Sequence, residues 1–103
     1  MSQPSPNGNP DWKVEVSALI IQKLRQFSEI VGQWFALILR TVVQRLRTSP
    51  EEFGEPMYHL PVGSAEVRLA ARAPLVVAYV VFRESRLVWI IKASLLSIPG
   101  SAN

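Results

Sequence analysis

The sequence predicts an α+β domain: one N-terminal strand, two helices, then a three- to four-stranded antiparallel meander. Three observations predict it. Residues 11–17 alternate Trp12, Val14 and Val16 with Lys13 and Glu15, the period of a half-buried strand. Residues 18–48 place apolar side chains at helical spacings of three and four. After Gly54, runs rich in Val, Ile and Leu are separated by short polar turns, the mark of strands joined as hairpins.

The elements follow in order. Residues 1–10, MSQPSPNGNP, have almost nothing to bury and read as a flexible tail. Ser17 stands where an N-cap belongs, just ahead of the apolar run that starts the first helix. Ile20, Leu24 and Phe27 form one stripe, and Val31, Trp34, Phe35, Ile38, Val42 and Leu46 form the next. With Ser28 as a second cap the reading is two helices, 18–27 and 29–48. One bent helix satisfies the same pattern, because no proline intervenes. Arg40, Gln44 and Arg47 line the opposite face, as a solvated surface or a binding stripe.

Ser49, Pro50, Glu51 and Glu52 read as a short helical turn, with proline at its first position and acids in its first turn; Gly54 ends it. Strands are then expected at 57–61, 65–71, 74–82 and 86–93, with turns at Arg72-Ala73-Pro74 and Arg83-Glu84-Ser85. The domain therefore spans 11–97, and 98–103 is a second tail.

Composition bounds the function. The chain has 103 residues, enough for one domain, and 49% of them are hydrophobic, too many for a disordered protein. It has no cysteine, which excludes a disulfide framework and a thiol nucleophile and fits a reducing compartment. Its charge of +3 suits nucleic acid, an acidic protein partner or a plain soluble domain. The first ten residues lack the charged and apolar regions of a secretory signal. The charge-free stretch 30–39 is far shorter than the roughly 20 residues that cross a bilayer. A cytoplasmic protein with no membrane partner is expected.

Catalytic signatures are missing: the sequence has no P-loop, GxGxxG, GxSxG or HExxH pattern. His59 is the one histidine, and no ligand set is spaced for a metal, so neither metal nor cofactor is expected. The remaining chemistry is a basic set, Arg68, Arg72, Arg83, Arg86 and Lys92. Strand parity puts Arg68 and Arg72 on one face, where guanidinium groups could hold phosphates or simply meet solvent. The strand 74–82 is apolar on both faces. If Val77, Tyr79 and Val81 meet the helices, then Val76, Ala78, Val80 and Phe82 form an apolar outer face. A monomer rarely leaves such a patch wet, so a protein partner is expected there.

The segments RLRTSPEEFGEPMYHL, AEVRLAARAPLVVAYVVF and RLVWIIKA, in this order of elements, resemble the RelE/ParE toxin superfamily of bacterial type II toxin–antitoxin systems. The resemblance covers roughly residues 12–97. It implies a small toxin neutralised by an antitoxin. RelE-like members cut mRNA in the ribosome, and ParE-like members poison DNA gyrase. Arg68 and Arg72 match basic positions of the RelE-like groove, and Tyr79 matches a family tyrosine that packs toward the helices. Other nuclease positions differ: Val76 and Ala70 stand where basic residues are common, and Ser94, Leu95, Leu96 and Ser97 replace a basic or aromatic end. The resemblance therefore implies a toxin-like component acting by protein binding, in the ParE manner. Two alternatives stay open. One is a ribosome-dependent mRNA endonuclease in which Arg68 and Arg72 position phosphate. The other is a non-toxic interaction module that forms a homodimer through the sheet.

Overall fold

Ser17 begins the helical layer as expected: its Oγ accepts a hydrogen bond from the Ile20 amide at 3.3 Å. In the computed structural model, which describes residues 11–61 and 63–96, eight elements follow one another. They are β1 (Lys13–Val16), α1 (Ala18–Val31), α2 (Trp34–Thr48), α3 (Pro50–Phe53), β2 (Glu55–His59), β3 (Ala65–Arg72), β4 (Leu75–Phe82) and β5 (Leu87–Leu95). The expected tails at 1–10 and 98–103 and the domain end at 97 lie outside the described residues.

The helical region is two helices, and the break falls at Gly32 rather than Ser28. Gly32 has φ +93°, a conformation that glycine adopts without strain, and its amide donates to the Ser28 carbonyl to close α1. Phe35, Val42 and Leu46 of α2 are buried against Ile20 and Phe27 of α1 and against the sheet. Burial of each such side chain contributes about 1.5–3 kcal/mol. Trp34, placed by periodicity in the same stripe, is instead 68% exposed, because it stands at the first residue of α2 where the chain leaves the turn. Ser49 starts α3 through its carbonyl, which accepts from the Glu52 and Phe53 amides, and not through its hydroxyl.

The sheet has the order β1-β5-β4-β3-β2. The expected meander is present as β2 to β5, each strand antiparallel to the next. The five-stranded sheet as a whole is mixed, because β1 lies parallel to β5, with Lys13 opposite Leu87 and Val16 opposite Ile90. The helical pair carries the chain from one edge of the sheet to the other, and the meander returns until β5 lies beside β1. Val77, Tyr79 and Val81 of β4, with Val88 and Ile90 of β5, face the helices and form the main core. None of the described helices is long and apolar enough to cross a membrane.

Candidate functional site

The register of β3 on β4 decides where the arginines go. Arg68 is opposite Tyr79, Ala70 opposite Val77 and Arg72 opposite Leu75. Tyr79, Val77 and Leu75 are all buried in the core that faces the helices, so Arg68 and Arg72 stand on the helix-facing side of the sheet. The two do share a face, as parity requires, but it is not the open one. Arg72 is exposed near the end of β3.

Arg68 is only 9% exposed and is held on two sides. Its Nη2 donates to the Gly54 carbonyl and its Nη1 to Glu66 Oε1, both at 2.6 Å. Glu66 Oε2 in turn lies 3.4 Å from His59 Nε2. The Tyr79 hydroxyl donates to the Pro50 carbonyl at 2.7 Å and accepts from the Gly54 amide at 3.0 Å. Burial pushes the Tyr79 phenol above the ordinary value of 10.0, while the Gly54 hydrogen bond and the Arg68 charge pull it back. Tyr79 and Arg68 pin the 50–54 segment onto the sheet, and Glu66 holds Arg68 in place. Gly54 must be glycine here: an added Cβ would come within 2.7 Å of both the Leu69 carbonyl oxygen and the Tyr79 hydroxyl. A guanidinium spent on a backbone carbonyl and a carboxylate is not presented to an external phosphate.

The other basic residues do not converge with it. Arg83 forms an ion pair with Glu51, tying the β4–β5 turn to α3. Arg86 places its guanidinium over the Trp12 ring, 4.6 Å from the centroid. Lys92 is opposite Ala78, on the side of the sheet away from Arg68. Among the described residues no group of three or more His, Cys, Asp or Glu is placed to hold a metal ion.

The open face of the sheet carries Val76, Ala78, Val80 and Phe82, as their alternation with Val77, Tyr79 and Val81 predicts. One end of this face is already covered. Val80 packs with Ala65 and Val67 in a second small core, closed over by Leu60 and Phe82. Around that small core the face is wet: Trp89 is 46% exposed, Leu69 40% and Tyr58 56%. Tyr58 is opposite Val67 and Trp89 opposite Val80, so they flank the small core, while Leu69 and Lys92 stand on either side of the half-buried Ala78. Leu69 and Trp89 were not singled out by the strand-by-strand reading. Register would have found them, since they are the cross-strand partners of the β4 outer row.

A second concave surface lies on the helix side, between α1, α2 and β1. This groove of about 750 Å³ is walled by Trp12, Leu24, Phe35, Leu39, Val43 and Ile90. Lys13, Arg25 and Arg47 line it as well, and no acidic residue does.

No protein-family model matches the chain, and neither a characterised relative nor a solved structure is significantly similar to it.

Proposed function

We propose that the chain is a toxin-like component of a type II toxin–antitoxin pair, of the RelE/ParE kind, which acts in the cytoplasm by binding a protein and is neutralised by an antitoxin. The observation that carries this reading is the open sheet face, where Tyr58, Leu69 and Trp89 are exposed around the Val67–Val80 pair. Large aromatic and aliphatic side chains left wet on a rigid sheet are what a protein contact uses. The order of strand, helix pair and meander agrees with the resemblance in sequence. The dispersed basic groups favour protein binding over RNA cleavage, because phosphate affinity needs several cations on one surface.

Induced expression in a bacterial host tests the reading. Growth should stop at confirmed soluble expression, and purified protein should leave ribosome-bound mRNA intact. Unchanged growth overturns the toxin role, and cleaved mRNA returns the function to the endonuclease alternative.

A further inference from the structure

We propose that the groove between α1, α2 and β1 is a binding site for a single-chain amphipathic carboxylate of the fatty-acid type, with Arg25 as its anion anchor. At about 750 Å³ the groove falls within the range of small-molecule sites, roughly 300–1,000 Å³. Its wall is mostly hydrocarbon and aromatic, and its charged groups are all positive. That combination selects a ligand with one long apolar part and one negative end.

The three cations are not equivalent. Lys13 is 3.2 Å from Glu15, and Arg47 is 3.1 Å from Asp11. Arg25 lines the groove, and among the described residues it has neither an ion-pair nor a hydrogen-bond partner. Ser28, also in the lining, is one turn further along α1, so its hydroxyl shares the face of Arg25. A planar guanidinium and a hydroxyl so placed can receive the two oxygens of one carboxylate. The alkyl chain then runs over Leu24, Phe35 and Leu39 toward Ile90.

Trp12 is buried in the groove wall, whereas Trp34 and Trp89 are exposed elsewhere, so the double variant Trp34→Phe/Trp89→Phe leaves one tryptophan as a reporter. Titration of this protein with laurate, below its micelle concentration, should give a saturable change in Trp12 emission. Arg25→Ala in the same background should weaken laurate about tenfold while leaving the circular dichroism spectrum unchanged. Lauryl alcohol should bind more weakly than laurate and be indifferent to Arg25→Ala. Ala36→Phe, which fills the groove from α2, should abolish the response. The proposal is overturned by no saturable response, by an Arg25→Ala protein that binds laurate as well as its parent, or by equal binding of dodecyltrimethylammonium. An acidic amphipathic helical peptide that displaces laurate and binds more tightly also overturns it, and gives the groove to a protein.

Discussion

Replacing Tyr79 by phenylalanine removes a single oxygen from the centre of the buried polar network. That oxygen donates to the Pro50 carbonyl and accepts from the Gly54 amide, and Tyr79, Pro50 and Gly54 are all buried. The ring remains, so no cavity of consequence opens. Two backbone groups lose their partner, each at about 1–3 kcal/mol when buried. Release from hydroxyl burial offsets part of this, leaving a net loss of about 2–4 kcal/mol. A domain of this size has about 5–15 kcal/mol in total, so the loss is a large share and lowers the melting temperature by about 8 °C or more. Urea unfolding followed by circular dichroism should show a lower midpoint with an unchanged slope. Tyr58→Phe is the control, because Tyr58 is exposed and should stay within about 0.5 kcal/mol of the parent. A Tyr79→Phe protein as stable as the control would refute the pinning of the 50–54 segment, and with it the reason given for the burial of Arg68.

The same network predicts an alkaline weakness. The Tyr79 phenol is raised in the folded state, so its contribution is fully present below pH 10.0 and is lost as pH rises through the higher folded value. Urea midpoints measured from neutral pH to above 10.0 should fall more steeply for the parent than for Tyr79→Phe; parallel curves would contradict this. Gly54→Ala drives a Cβ against the Leu69 carbonyl and the Tyr79 hydroxyl and should cost about 1–3 kcal/mol in the same assay. Ser17→Ala removes the cap of α1 and should cost about 1 kcal/mol, read as a lower midpoint with unchanged secondary structure.

Much of the fold was legible because it rests on local periodicity. The β1 alternation, the helical stripes and the turns around β4 each follow from a few adjacent residues. Long-range pairing was less legible. Nothing in residues 13–16 says that β1 will join β5 in parallel, since that depends on the path of the whole meander. The break at Gly32 was readable only from the backbone conformation that glycine permits, and Ser28, a good cap by type, became the last-turn acceptor instead. Arg68 is the instructive case. On β3 the apolar row Ala65, Val67, Leu69 and Ala71 faces outward, while Glu66, Arg68, Ala70 and Arg72 face the helix side. A hydrophobic-in rule gives the reverse. The reversal is stable because the 50–54 segment meets the sheet with backbone groups that need polar partners: the Gly54 carbonyl takes Arg68 of β3, and the Gly54 amide and Pro50 carbonyl take Tyr79 of β4. A tyrosine set in the aliphatic inner row of β4 was the one local sign that such partners lie nearby.

On the proposed reading the apolar side chains of the open sheet face, and not the arginines behind it and in its turns, meet the cellular target. Growth of bacteria is followed after induction of the parent, of Leu69→Asp/Trp89→Asp and of Arg72→Ala/Arg83→Ala, at equal soluble levels and with folding checked on the purified proteins. All four positions are exposed, so each variant can fold. The parent and the Arg72/Arg83 variant should arrest growth, and the Leu69/Trp89 variant should leave it normal. Arrest that survives Leu69→Asp/Trp89→Asp but disappears with Arg72→Ala/Arg83→Ala would contradict an open-face contact.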